Sequence, residues 1–124
     1  MAPRSDVSSQ VLDRLFEVIE RRRVERPTGS YVVTLLDAGL PAIAAKLREE
    51  SEEVIRAAFD EDAHAVAHEA ADVVFHLFVL LAARGIQPGA VYAELARRFG
   101  IGGLVEKAAR GASDPGAGQG GEEA

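Results

Sequence analysis

Apolar residues recur along this chain at the spacing of helix faces almost from end to end. Val11, Leu12, Leu15, Phe16 and Ile19 keep the 3.6-residue period, and the helix they define should stop before Pro27. Ser30 is placed to cap a short second helix, Tyr31 to Ala38, closed by Gly39. The Val-rich run Tyr31 to Leu36 also suits a strand. Pro41 fits the first turn of a third helix that reaches about Phe59, and the turn Asp60 to Asp62 offers capping carboxylates to a fourth. The fourth helix, about Ala63 to Arg84, ends at Gly85. Its stretch Val73 to Leu81 is apolar on every side except at His76, the mark of a helix at the centre of a bundle. A fifth helix follows from Pro88 to Phe99, ended by Gly100, with a short stretch near 104–110 after it. The predicted class is all-α, a bundle of four to five helices.

Composition narrows the chemistry. The chain has 124 residues and 48% apolar content, enough for one core, and no Cys. A thiol nucleophile, a Cys-based zinc site and a disulfide framework are thereby excluded. A reducing cytoplasm is expected, and neither an export segment nor a membrane span is read from the sequence. The net charge of −6 argues against duplex nucleic acid as the main partner. Half of that charge lies in 111–124, which holds five of the twelve Gly and no basic residue. Residues 6–110 are expected to form the domain and 111–124 a disordered, Gly-rich acidic tail.

Charged residues then appear where burial is expected. At about 100° per residue, Ile43, Leu47, Val54 and Ala58 form the apolar stripe of the third helix, with Glu50 at its edge and Lys46, Glu49 and Glu53 close by. Glu52 points elsewhere, between Arg48 and Arg56, and reads as part of a solvated salt-bridge ladder. On the fourth helix Glu69, Asp72 and His76 share one stripe at i, i+3 and i+7 that leads into the apolar run. If the two helices pack antiparallel, Glu50, Glu53, Glu69 and Asp72 face each other and repel, and such a site calls for bound cations. All-oxygen ligands select Mg²⁺ or Mn²⁺. A di-iron bundle would need Glu-x-x-His twice, and only Glu61 to His64 has that spacing. An acidic stripe is by itself commonly a solvated face. The second acidic motif, aimed inward, is what favours a metal site.

The stretches KLREESEEV and EAADVVFHLFVLL, with the Arg-rich end of the first helix (ERRR), PTGSYVVTLLDAG and RRFGIGGLVEKAAR, resemble phosphoribosyl-ATP pyrophosphohydrolase, within the MazG-like all-α NTP pyrophosphatases. The two acidic motifs resemble the wider group. Ser30-Tyr31, His76 and the RRFG…EK ending resemble this enzyme in particular. The resemblance implies Mg²⁺-dependent hydrolysis of phosphoribosyl-ATP to phosphoribosyl-AMP and pyrophosphate, the second step of histidine biosynthesis. It further implies metal ligation by Glu50, Glu53, Glu69 and Asp72, with Glu49 or Glu53 free to accept a proton from water. Substrate contacts are expected from Arg22, Arg23, Ser30, Tyr31, Lys46, Arg97, Arg98 and Lys107. Each has a plainer role available: the arginines can offset helix dipoles, Ser30 can be only a cap. His76 is expected to orient a carboxylate from outside the metal's own ligands, or to be a hydrogen-bonded core residue.

This sequence departs from the family pattern at Gly102-Gly103, where Ser-Gly is common, and at Phe75, where Tyr is common. The cyclohydrolase often fused to this enzyme has no room in the chain. A homodimer is implied by the resemblance and suits the apolar fourth helix. A house-cleaning NTP pyrophosphatase and a non-catalytic helical interaction module are the competing readings.

Overall fold

A computed structural model describes residues 7–99 of the chain. Five helices appear in order: α1 (Gln10–Glu25), α2 (Tyr31–Ala38), α3 (Leu40–Asp60), α4 (Ala63–Ala83) and α5 (Pro88–Phe99). No strand occurs among the described residues, so the all-α reading holds. The expected stretch near 104–110, Gly100 and the tail lie outside the described residues.

Each boundary has a local cause. The residue before a proline is pushed out of the right-handed helical region, and Arg26, before Pro27, ends α1 in the left-handed conformation at φ 53°. Its N–H still reaches the Arg22 carbonyl, closing the last turn. Ser30 decides the helix-or-strand question for the Val-rich segment, because its hydroxyl accepts from Val33 N–H at 3.3 Å and starts α2. Gly39, at φ 94°, ends α2 and leads within one residue into α3, whose first turn carries Pro41. Asp62 caps α4 by accepting from Ala65 N–H at 3.0 Å. The link between α3 and α4 is only Glu61 and Asp62, so the two helices run antiparallel, and theirs is the most extensive pairing in the fold.

The chain divides after Pro88 into two units. In the first, α1 packs on α4 and α2, and α2 on α3 and α4. Phe16, Ile19, Val32, Leu35, Ile43, Ala57, Phe78, Val79, Leu81 and Ala82 form its core. Phe16 and Phe78 meet edge to face, with centroids 5.9 Å apart. The second unit contains the rest of α5, where Glu94 accepts hydrogen bonds from both Arg97 and Arg98. That pairing holds the Glu94 carboxyl down at a pKa of about 2, first through the hydrogen bond from Arg97 and then through that from Arg98.

Three expectations need correction. The stripe of α3 runs through Ile43, Glu50 and Ala57, all buried, and not through Ala58, which is exposed. Glu50 therefore lies on the midline of the buried face rather than at its edge. The helix α4 is not covered all round. His76, Phe78, Val79, Leu81 and Ala82 are buried, while Val73, Val74, Phe75, Leu77 and Leu80 are only half-buried, because three neighbouring helices cover one side of it. By length and composition alone α4 is also apolar enough to pass for a membrane span. Its packing on α1, α2 and α3 accounts for its apolarity as that of a core helix. Finally, no ion pair within 4 Å joins Glu52 to Arg48 or Arg56 among the described residues, although Glu52 is exposed as expected. Long, solvated side chains gain little from a fixed pairing, which leaves the ladder unformed.

Candidate metal and substrate site

The acidic site is built by the two-residue connection between α3 and α4. With α3 and α4 antiparallel, Glu50 comes to face Glu69 and Asp72, and one carboxylate oxygen from each lies within 4.8 Å of the others. Glu50 is buried, and Glu69 and Asp72 are half-buried. Oε1 of Glu50 and Oε1 of Glu69 are both shielded from solvent without a hydrogen-bond partner among the described residues. Unpaired carboxylate oxygens away from water are costly, and two of them facing a third acid form a donor set that a hard divalent cation would satisfy. The residues present fit Mg²⁺ or Mn²⁺ for that reason.

Electrostatics point the same way. The Glu69 carboxyl titrates above the usual carboxylate range, first because of burial and then because of the adjacent Glu53 carboxylate and Asp72, with His68 opposing. Glu53 is thus a neighbour of the cluster through Glu69, although it is not one of the three acids that converge. Lys46 is the cation at the cluster's edge: its Nζ lies 3.2 Å from Glu49 and 3.5 Å from Glu50. The hydrogen bond to Glu49 raises the Lys46 ammonium above its ordinary value, with Tyr31 and Glu50 adding and burial opposing. Glu49 itself is largely exposed and turned to Lys46.

Of the two readings of His76, the geometry matches the hydrogen-bonded core residue and not the orientation of a carboxylate. It is 4% exposed, and its Nδ1 lies 2.7 Å from the backbone carbonyl of Asp72 rather than from any carboxylate. A carbonyl only accepts, so Nδ1–H donates, and in the neutral ring Nε2 is left to accept from the Tyr31 hydroxyl at 2.9 Å. The imidazole therefore orients Tyr31 and ties it to α4. The i, i+4 spacing allows this contact, since side chains on a helix tilt back toward its N-terminus. Phe75 stacks on Tyr31, with centroids 5.9 Å apart and planes 15° from parallel.

The remaining candidates lie in other places. Ser30 is a buried cap. Arg22 is exposed, and Arg23 pairs with Glu20. Arg23 borders a cleft of about 750 Å³ together with Arg26, Asp37, Ala82 and Arg84. Ala82 stands ten residues beyond Asp72 on α4, about 15 Å along the axis, so Arg23 faces a separate region from the acidic cluster. Arg97 and Arg98 are exposed on α5 and pair with Glu94, and Lys107 lies outside the described residues. Sequence reasoning passed over His68, whose Nε2 is 3.8 Å from Asp72; its i, i+4 spacing was the available signal. It also treated Tyr31, Phe75 and His76 singly and did not join them.

Fold and site together define a class: an all-helical protein with a cation-compatible acidic cluster between paired antiparallel helices. Comparison with known proteins makes the class specific. The family model described as phosphoribosyl-ATP pyrophosphohydrolase matches residues 12–99. The chain is 50% identical over 103 residues to the phosphoribosyl-ATP pyrophosphatase of Rhodopirellula baltica, covering 80% of this chain and 85% of that one. It is 51% identical over 100 residues to the protein of the same name from Parvibaculum lavamentivorans (81% and 92% covered). With that from Sulfurisphaera tokodaii it shares 47% over 93 residues (75% and 99% covered). The chain belongs to the phosphoribosyl-ATP pyrophosphohydrolase family.

Proposed function

We propose that this chain hydrolyses phosphoribosyl-ATP to phosphoribosyl-AMP and pyrophosphate, the second step of histidine biosynthesis. The observation that carries the reading is the convergence of Glu50, Glu69 and Asp72 on one point, two of them with orphaned oxygens, in a chain of this family. These three would hold Mg²⁺ or Mn²⁺, with Glu53 as the fourth acid at its side. When bound, the ion would supply neutralisation of the pyrophosphate charge and activation of water. Attack on the α,β-phosphoanhydride adds one water across the P–O–P bond and releases a proton. Glu53 is the better placed acceptor for it, since it lies against the cluster, whereas Glu49 is exposed and held by Lys46. The Lys46 ammonium offers charge to the polyphosphate at the cluster's edge. Arg22, Arg23, Arg97, Arg98 and Lys107 are carried over as phosphate or phosphoribosyl contacts from the family resemblance alone.

A homodimer belongs to the same proposal. Its support is the half-covered apolar flank of α4 and the exposed Ile55 and Phe59 on α3. A cytoplasmic location is part of the same reading, in keeping with a chain without cysteine. Residues 6–110 are proposed to carry the activity, so that deleting 111–124 leaves turnover and melting temperature unchanged. Slowed turnover or aggregation of the truncated protein would contradict that division.

The deciding assay compares phosphoribosyl-ATP with ATP and dCTP, each with and without Mg²⁺. Pyrophosphate release from phosphoribosyl-ATP in the presence of Mg²⁺ is expected. Preference for an ordinary nucleotide would replace this reading with a house-cleaning NTP pyrophosphatase, and no release from any of the three would favour a binding module.

A further inference from the structure

Tyr31 is an unusual residue to find so firmly held. It opens α2 and is 46% exposed, yet its ring and its hydroxyl are both fixed from α4. Phe75 stacks on it, the His76 ring meets it edge-on with centroids 5.7 Å apart, and the buried imidazole accepts a hydrogen bond from its hydroxyl. The imidazole is itself set by the carbonyl of Asp72, one of the three converging acids, and stands edge-on to Phe75 as well. A chain of contacts thus runs from the backbone of a cluster residue through His76 to an open aromatic surface. Packing alone would not require it: an apolar side chain at position 76 would fill the core without a buried polar group that needs partners on both nitrogens.

Position gives this surface its meaning. Phe75 and His76 follow Asp72 by three and four residues on α4, a rise of about 6 Å, or one helical turn. From the side of α3 it is bordered by Lys46, which feels Tyr31 electrostatically and pairs with Glu50. In a nucleoside polyphosphate, a ribose separates the base from the α-phosphorus. A substrate whose α,β-anhydride sits at the acidic cluster therefore has its base about one helical turn away.

We propose that Tyr31, backed by Phe75 and oriented by His76, is the platform on which the purine ring of the substrate stacks. The assignment rests on the phosphoribosyl-ATP reading above and names the part of the substrate that this face takes. His76 acts as a positioning residue, and the ring held in place before binding lowers the entropy lost on association. Base–aromatic stacking worth about 1–3 kcal/mol corresponds to between about fivefold and somewhat over 100-fold in affinity.

The chain has no Trp and only two Tyr, so tyrosine emission comes from Tyr31 and Tyr92 alone, and Tyr31→Phe isolates the share from this surface. Titration with adenosine 5′-monophosphate should quench the emission of the intact protein, and ribose 5-phosphate, which lacks the base, should not. In Tyr31→Phe the quenched component should be missing. In steady-state assays Tyr31→Leu should raise KM for phosphoribosyl-ATP by about 10-fold or more with a smaller change in kcat, Tyr31→Phe should recover most of the loss, and the Mg²⁺-induced rise in melting temperature should be unchanged in both. Equal quenching by ribose 5-phosphate, quenching that persists in Tyr31→Phe, or an unaltered KM in Tyr31→Leu would overturn the proposal. Should Tyr31→Leu fail to fold, the quenching comparison between intact protein and Tyr31→Phe still decides. If the intact protein does not cleave phosphoribosyl-ATP, the functional reading fails by itself, while quenching by adenosine 5′-monophosphate separately reports whether the platform binds a purine.

Discussion

Replacing Glu50 by Gln keeps the shape of the side chain and removes one of the three converging charges. In the metal-free protein two effects oppose each other. The ion pair with Lys46, an i, i+4 contact at 3.5 Å, is lost at a cost of about 0.3–0.5 kcal/mol. Against that, a buried carboxylate with an unpartnered oxygen beside two other acids is exchanged for a neutral amide, which relieves both repulsion and desolvation. The metal-free variant is therefore expected to melt at the same temperature as the parent or higher. The response to Mg²⁺ should move the other way. A ligand present at one hundred times its Kd stabilises the native state by about 2.7 kcal/mol, or about 10 °C for a domain of this size. Losing one of three anionic ligands should weaken binding by about 100-fold, so the same Mg²⁺ concentration adds only about 0.4 kcal/mol, or 1–2 °C. Thermal denaturation followed by circular dichroism, with EDTA and then with a Mg²⁺ series, measures both quantities, and pyrophosphate release should be abolished alongside. A parent-like Mg²⁺ response in Glu50→Gln, or a metal-free variant several degrees less stable than the parent, would refute the assignment of Glu50 to the cation.

Other outcomes test separate parts of the structure. Glu52→Gln should change stability by less than about 0.5 kcal/mol and leave turnover intact, since Glu52 is exposed and makes no ion pair with its helical neighbours. A large loss there would mean that the faces of α3 are misassigned. Ser30→Ala removes the hydroxyl that accepts from Val33 N–H and should cost about 1 kcal/mol in denaturant unfolding. Glu69 holds its proton more readily in the folded protein than an ordinary carboxylate does, so folding takes up protons at this group. Without metal, its contribution is most favourable below the unfolded value and falls as pH rises through the raised one. Glu69→Gln should flatten that part of the stability–pH profile in EDTA, and an unchanged slope would contradict the shift.

How much of this was legible in the sequence depends on the range of the interaction that decides each feature. Helix ends are set by a few adjacent residues, so Pro27, Ser30, Gly39 and Asp62 place them within a residue or two. The acidic cluster is nearly as local, because the spacing Glu69 and Asp72 and the short turn before α4 already force these acids toward Glu50. What the spacing did not settle is which acids converge: Glu50 proved central because Ile43, Glu50 and Ala57 repeat at seven residues on the face that packs against α4. The partner of His76 was beyond reach. Tyr31 lies 45 residues away, and only the docking of α2 on α4 brings the two together. The half-covered flank of α4 was hidden for a similar reason, since hydropathy records how apolar a helix is and not how many neighbours are present to cover it.

The two-residue link between α3 and α4 has a kinetic consequence. All three converging acids fall within the stretch Glu50 to Asp72, so a single helical hairpin closed by two residues carries the whole cluster. Such local contacts form early and at little loop-closure cost, before α1 and α2 need to dock. The hairpin must then nucleate against its own like charges. A cation that occupied the cluster at that stage would offset this repulsion and so act on the rate of folding, which would tie the chemistry of the site and the order of assembly to the same three carboxylates.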